Sequence, residues 1–228
     1  MRSAQGARQA TPEDLTTRAR IRDAAVLRFG RDGFGTPLRT IAADAGVSAG
    51  LVIHHFGTKE KLREACDARV LDDIKRAKHE SLTATTSSRF LEYLSTAEQY
   101  APIFAYVVRS LQHGGPLAKA FVDHMVEDAV EYVADGVAAG VIVPSRNERA
   151  RARYLVLSSL GAGLLSITLD PPEDPEDLAG MMRDHFDAIT LPSLEVFTEG
   201  LLTTRRMLDD YLAYVSDPPA APDEDVAD

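Results

Sequence analysis

The 228-residue chain has no tryptophan and a single cysteine, Cys66. One thiol per chain excludes an intrachain disulfide framework and a thiolate zinc cluster. It suits a reducing cytoplasm with Cys66 as a buried, inert side chain. The opening stretch MRSAQGARQATPEDL lacks an apolar h-region, so no secretory signal is expected there. The longest nearly uninterrupted apolar-and-small run, YLVLSSLGAGLLSITL at 154–169, is 16 residues long, against the roughly 20 a membrane helix needs. No membrane span is expected, and the protein is expected to be cytoplasmic. Sustained apolar/polar alternation and Asn-Gly hairpin signals are also missing, which excludes strands and leaves an all-α chain. There is no GxSxG, no phosphate-cradling Gly loop and no HExxH pair. The sequence therefore names no enzyme, no cofactor and no metal.

Charge is abundant but unevenly spread. The formal net charge is −10. Through Lys78 there are 15 Lys and Arg against 10 Asp and Glu, and beyond it 10 against 25. A basic front followed by an acidic body suits a nucleic-acid-facing end joined to a self- or ligand-facing end.

Helix signals begin at Thr11, a cap, with Pro12 at the first helical position and Glu13 and Asp14 at the positive end of the dipole. Ile21, Ala25 and Phe29 line one face, and the glycines of GRDGFG are expected to stop the helix at about Phe29. A second helix is predicted from Thr36 as cap and Pro37 at the first position, with Leu38, Ile41, Ala42 and Ala45 on one stripe. Gly46 ends it in the left-handed conformation. Ser48 caps a third helix, onto which Val47 staples through Val52. Two short helices joined by a tight Gly turn make a helix-turn-helix.

The adjacent His54 and His55 lie on the third helix. At about 100° per residue from a buried Val52, Phe56 and His55 lean toward the core on opposite sides, while Gly50 and His54 point outward. Neighbours one apart on a helix do not face each other, so a metal or acid/base role for this pair is not favoured. An outward glycine in mid-helix costs about 1 kcal/mol, which makes sense where another backbone must come close. Thr58 caps a fourth helix striped by Leu62, Cys66, Val70 and Ile74, with Lys59 placed at the edge of the same surface as His54 for a phosphate contact.

These residues resemble the DNA-binding domain of the TetR family of bacterial transcriptional regulators. The resemblance is carried by Arg20 to Phe34, LRTIAADAGVSAGLVIHHF from Leu38 to Phe56, and Thr58 to Leu62, about the first 75 residues. It implies a homodimer whose recognition helices, Ser48 to His55, enter successive major grooves of a palindromic double-stranded DNA operator. By matching position, the DNA-facing residues would be Thr40, Ser48, Gly50, Leu51, Ile53, His54, His55 and Lys59. Bases are the expected targets of Gly50 and Leu51, and phosphates those of Thr40, His54 and Lys59. The sequence departs from the family at Ala49, Leu51 and Ile53, where Lys, Thr and Tyr are frequent. Leu51 and Ile53 can read thymine methyls but cannot donate to phosphate. That shifts affinity toward Lys59 and toward an N-terminal arm carrying Arg2 and Arg8.

The implied organisation is a flexible arm over 1–11, a helix-turn-helix domain over 12–57 and a connecting helix over 58–80. A helical effector-binding and dimerisation domain then spans 81–215, before a disordered acidic tail over 216–228. A long helix from about Pro192 to Val215 carries a heptad-type seam of Leu194, Phe197, Leu201, Thr204, Leu208, Tyr211 and Val215. A helix from about Glu148 to Leu169 carries Leu155, Ser158, Ser159, Gly161, Ala162 and Gly163, and small residues let a neighbouring backbone approach. Leu155, Ser158, Ser159, Ala162, Leu194, Phe197, Leu201 and Leu208 are the expected dimer contacts, in a four-helix bundle. A small apolar or aromatic effector is expected among Phe90, Tyr93, Tyr100, Phe104, Val107, Phe121, His124 and Met125, with His113 as a further polar contact. The stripe Asp123, Glu127, Glu131 and Asp135 reads as solvated surface. The expected function is a ligand-responsive repressor. The rival reading is a helical enzyme or metal-binding protein using His113, Asp123, His124 and His185.

Overall fold

A computed structural model describes residues 12–82, 97–174 and 177–216; among these, the regular elements are all helices. The head comprises α1 (Pro12–Asp32), α2 (Leu38–Asp44), α3 (Ala49–Phe56) and α4 (Lys59–Leu82). The capping residue expected for α1, Thr11, lies outside the described residues, as do the 1–11 arm with Arg2 and Arg8 and the tail beyond Ser216. α1 continues past Phe29 and ends where Gly33 takes φ 82° and its N–H returns to the Phe29 carbonyl at 3.0 Å. Gly30 stays inside the helix because another backbone crosses it. A Cβ there would lie 3.0 Å from the Tyr106 nitrogen.

Local chemistry sets the turn between α2 and α3. Gly46 takes φ 63°, a conformation that a side chain would strain. The Ser48 hydroxyl accepts the Leu51 N–H at 3.2 Å, and the Thr58 hydroxyl accepts the Lys61 N–H at 3.2 Å. Thr36 does not cap α2 as expected: its buried hydroxyl donates to the Gly33 carbonyl at 2.8 Å, and Pro37 holds the cap position. Arg28 forks onto Asp44, with its Nη2 2.9 Å from Oδ1, and fastens α2 to α1. The guanidinium holds the Asp44 carboxyl below the usual carboxylate range. Cys66 is fully buried beside the Arg22 carbonyl, and burial pushes its thiol up, which makes it inert at neutral pH.

The body contains a 3-10 turn (Ala97–Tyr100) and then α5 (Ala101–His113), α6 (Gly115–Ala138), α7 (Glu148–Leu169), α8 (Leu178–Thr198) and α9 (Arg206–Tyr214). α5 packs on α1 and α6 on α4, so one apolar core runs from Ile21, Phe29, Ile41 and Val52 through Leu62 and Val70 into Tyr106 and Phe121. α7 then packs on α6 through Val126, Ala129, Ala152 and Val156. The carboxylate stripe on α6 is stapled on both sides. Glu131 and Asp128 take Lys75 and Asp135 takes His79, both from α4; Glu127 takes Arg149 and Asp123 takes Arg153, both from α7. These pairs are largely exposed, so each adds little on its own and they act mainly to set register.

The long helix expected from Pro192 to Val215 is not formed. Pro192 sits inside α8, which starts at Leu178 with the Asp177 carboxylate accepting the Gly180 N–H at 2.8 Å. The chain leaves helical geometry after Thr198, and Gly200 adopts φ 79°, where only a residue without Cβ is unstrained. The seven seam positions therefore fall on α8, on a non-helical connection, on α9 and, for Val215, just past its end, and no continuous heptad seam exists. α7 spans Glu148–Leu169 as expected, with Asn147 as its cap. The apolar run counted from Tyr154 understates it. With the preceding turns the helix is 22 residues, and an 18-residue window of it has mean hydropathy 1.4, long and apolar enough to cross a membrane by length and composition. Here one of its faces is buried against α5 and α6.

Candidate nucleic-acid interface and effector cleft

α3 buries Val52 and Phe56 and turns Ala49, Gly50, Ile53 and His54 outward, with Leu51 and His55 half-buried at the flanks. A Cβ on Gly50 would meet only the Ser48 hydroxyl, at 3.8 Å. No contact among the described residues demands glycine at this position. His54 and His55 do not splay as fully as a helical wheel suggests: their rings meet edge to face with centroids 5.4 Å apart. The base of α3 is held by Arg18, whose guanidinium lies 4.8 Å from the Phe56 ring centroid and donates to the His55 carbonyl at 3.3 Å. That bond satisfies a carbonyl at the helix C-terminus.

Thr40 is half-buried on α2. Lys59 is half-buried at the start of α4, and its ammonium lies 6.0 Å from the Phe29 ring centroid. To touch a phosphate it must swing from this aromatic contact. Arg39, exposed beside Thr40, and Lys61, exposed in the first turn of α4, add two cations on the elements flanking α3. The sequence reading did not name them. The signal in the sequence is adjacency: Arg39 precedes Thr40, and Lys61 follows Lys59 by two residues.

The joint between head and body is aromatic and polar. Tyr106 is fully buried, and its hydroxyl donates to Asp67 Oδ1 at 2.6 Å, tying α5 to α4. Burial raises the Asp67 carboxyl above its ordinary value, partly offset by the Tyr106 hydrogen bond, and burial likewise raises the Tyr106 phenol. Phe34 packs on Phe29 and on Tyr106, with centroids 5.3 and 5.5 Å away, under the Arg63 guanidinium at 3.6 Å. Arg109 donates to the Gly30 and Arg31 carbonyls at 3.2 and 3.0 Å, closing the C-terminus of α1.

Between α4 and α6 lies a cleft of about 490 Å³. Ala68, Leu71, Leu117, Ala120 and Phe121 supply its apolar surface, and Glu64, Asp67, Asp72, Asp128, Lys75 and His124 its polar one. Of the expected effector contacts it gathers Phe121 and His124. Val107 is buried in the core shared with the head, against which Met125 also packs, and Tyr100 ends the 3-10 turn. Phe104 stacks on His185 with centroids 4.8 Å apart, beneath Gly163, where a Cβ would come within 3.0 Å of its ring. Phe90 and Tyr93 lie outside the described residues.

The four residues of the rival reading have separate surroundings. His113 packs edge-on against Phe34, while Asp123 is paired with Lys119 and Arg153. His124 lines the cleft, and His185 is buried on Phe104 with its Nδ1 3.3 Å from the Ser166 hydroxyl. Burial pushes the His185 imidazole down, favouring its neutral form. Among the described residues no three of His, Cys, Asp and Glu are grouped to hold a metal ion. The expected dimer contacts lie on α7, α8, α9 and the connection before α9. Ser158, Ser159, Leu194, Phe197, Leu201 and Leu208 are exposed, and Leu155 and Ala162 half-buried.

Comparison with known proteins agrees with this geometry. Residues 4–66 match the family model for bacterial regulatory proteins of the tetR family, and residues 98–203 match the tetracyclin repressor-like C-terminal domain. The chain is 50% identical over 200 residues to the HTH-type transcriptional regulatory protein RaaS of Mycobacterium tuberculosis, covering 88% of this chain and 93% of that protein. It is 31% identical over 106 residues to the HTH-type transcriptional regulator BetI of Paraburkholderia phymatum, covering 46% and 50%. In fold it is similar to a tetR-family regulator from Streptomyces coelicolor, with TM-score 0.55, 18% identity and coverage of 88% and 97%. A TetR-family regulator from Pectobacterium atrosepticum gives TM-score 0.51 and 22% identity, with coverage of 85% and 98%. With a helix-turn-helix whose outer face is open and a helical body joined to it through one core, this chain belongs to the TetR family of transcriptional regulators.

Proposed function

We propose that the protein is a cytoplasmic, homodimeric repressor that occupies a palindromic DNA operator and leaves it when a small apolar or aromatic molecule enters the body. The observation that carries the reading is the outward face of α3. Gly50, Ile53 and His54 are exposed on a helix whose opposite face is locked into the core, and no contact among the described residues demands glycine at Gly50. Leu51 and Ile53 read thymine methyls by contact, Gly50 admits the groove, and Thr40, His54 and Lys59 take phosphates. The 1–11 arm adds Arg2 and Arg8 to the backbone contacts.

The effector enters the cleft between α4 and α6. Asp67 is both a wall of the cleft and the acceptor of the Tyr106 hydroxyl. An occupant that displaces Asp67 loosens the α4–α5 tie, and α5 in turn holds the end of α1 through Arg109. A ligand that prefers the loosened arrangement shifts the dimer toward a head spacing that no longer fits two successive grooves.

The test is fluorescence anisotropy of a DNA fragment from the protein's own upstream region, titrated at several salt concentrations with the wild type and with Ile53→Asp. Ile53 is exposed, so the variant keeps its fold while setting a carboxylate against the groove. Tight, sequence-selective binding that falls steeply with salt and drops at least about a hundredfold in the variant, on the order of 3 kcal/mol, supports the reading. Equal binding by the two proteins overturns the role of α3.

A further inference from the structure

We propose that the effector of the cleft between α4 and α6 is an organic cation, an aromatic or apolar body bearing an ammonium-type group, and that this group takes Asp67 away from Tyr106; this rests on the effector reading above.

A cavity of about 490 Å³ is of the size that small organic ligands fill, and Leu71, Leu117 and Phe121 give it an apolar surface suited to a ring. Its polar groups are out of balance. Among the described residues of the lining, four carboxylates, Glu64, Asp67, Asp72 and Asp128, stand against the one ammonium of Lys75 and the His124 imidazole. Lys75 is already committed: its Nζ lies 3.2 Å from Asp128 and also meets Glu131, which is not part of the lining. Asp72 meets Arg76 only at 3.9 Å, with both side chains more than half exposed, so water screens that pair. Arg63 eases the charge of Asp67 from nearby, but its guanidinium is stacked on the Phe34 ring, 3.6 Å from the centroid. Glu64, Asp67 and Asp72 therefore leave the cleft negative.

Asp67 decides among possible occupants. Burial raises its carboxyl above the ordinary value, and the Tyr106 hydroxyl that donates to it at 2.6 Å brings no charge, because burial raises that phenol too. A neutral ligand lying over Asp67 deepens the desolvation without compensating it, and an anion adds repulsion. A cation balances the carboxylate as it covers it. A charge-assisted hydrogen bond from an ammonium is also stronger than a neutral one from a phenol. The contact that binds the ligand is thus the one that breaks the α4–α5 tie.

The test uses three probes that share a naphthalene ring and differ at one end: naphthylmethylamine, a cation at neutral pH, naphthylmethanol, which is neutral, and naphthylacetate, an anion. Each is titrated by calorimetry into the full chain. The expected order of affinity is amine, alcohol, acetate, with the amine bound at least about tenfold more tightly than the alcohol and the gap closed in Asp67→Asn. Alcohol or acetate binding the wild type as tightly as the amine overturns the cationic class and leaves an apolar effector standing. Binding by none of the three, up to their solubility, overturns the cleft as an effector site as well. The double variant Glu64→Gln, Asp72→Asn changes two exposed side chains and keeps the fold; it is expected to weaken the amine alone. Equal weakening of amine and alcohol, or none, overturns the cationic class. In Tyr106→Phe the amine no longer competes with a hydroxyl for Asp67, so its affinity is expected to rise about fivefold while that of the alcohol stays unchanged. An amine affinity that does not rise, or a gap that persists in Asp67→Asn, overturns the capture of Asp67.

Discussion

The head and the last third of the chain are built from the same element and use it in opposite ways. In the head, short helices meet around fully buried Ile21, Phe29, Ile41 and Val52, and each turn is closed by a named cap or a left-handed glycine. Along α8 and α9, large apolar side chains lie in the open: Phe29 is 0% exposed and Phe197 66%. The head is finished by its own chain and keeps its outer face for DNA. Among the described residues the far end leaves these side chains uncovered, and they are the surface on which the proposed homodimer would draw.

The strongest way to break this comparison is to truncate one aromatic side chain on each side of it. Phe29→Ala should destabilise the chain by about 3 to 5 kcal/mol, because it empties a close-packed core. Phe197→Ala should leave the chain's own fold within about 0.5 kcal/mol and act instead on dimer affinity. Denaturant unfolding over a range of protein concentrations separates the two. Equal intrinsic losses, independent of concentration, would mean that Phe197 belongs to a core within the chain.

A smaller effect sharpens the joint between the regions. Tyr106→Phe keeps the ring among Phe29, Phe34 and Phe121 but strips Asp67 of its 2.6 Å donor. It should cost about 1 to 2 kcal/mol. It should also bring the head and body closer to unfolding as separate units, seen as a broadened calorimetric transition. A sharp transition at the wild-type temperature would show that the hydroxyl contributes nothing to the tie.

The smallest effect concerns pH. The folded protein holds His185 below its ordinary pKa of 6.5 through burial, so the unfolded chain binds more protons in the window below 6.5. The stability associated with the neutral ring is present above that value and is lost as pH falls toward the folded pKa. The slope is at most about 1.4 kcal/mol per pH unit. His185→Gln should flatten this limb between pH 6.5 and 5 in urea denaturation series. A limb as steep as in the wild type would assign the acid sensitivity to other groups.

Legibility in the sequence followed the range of the interactions. The α2–α3 turn, the Ser48 and Thr58 caps and the buried stripe through Val52 and Phe56 could be read because each involves residues within one helical turn. The same reading placed Thr36 as a cap, whereas its hydroxyl turns to Gly33, an acceptor equally close in sequence that no spacing rule ranks. The spacing places Lys59 for a phosphate contact, and what it does not show is that the ammonium lies 6.0 Å from the ring centroid of Phe29, brought in by another helix. The heptad spacing from Leu194 to Val215 was real in the sequence, but one glycine in left-handed geometry divides it between two helices.

From its residues alone this chain determined its helical class, its helix-turn-helix and the outward face of α3. Caps, turn glycines and apolar stripes act over three or four residues, so neighbours in sequence are enough to specify them. Only the tertiary structure decided which carboxylates line the cleft, that Asp67 serves both the cleft and Tyr106, and that Arg109 closes α1. Tyr106 and Asp67 are 39 positions apart, and Arg109 and Gly30 are 79. Such pairs exist only after α1, α4, α5 and α6 have packed into one core, because burial brings them together and no local rule does.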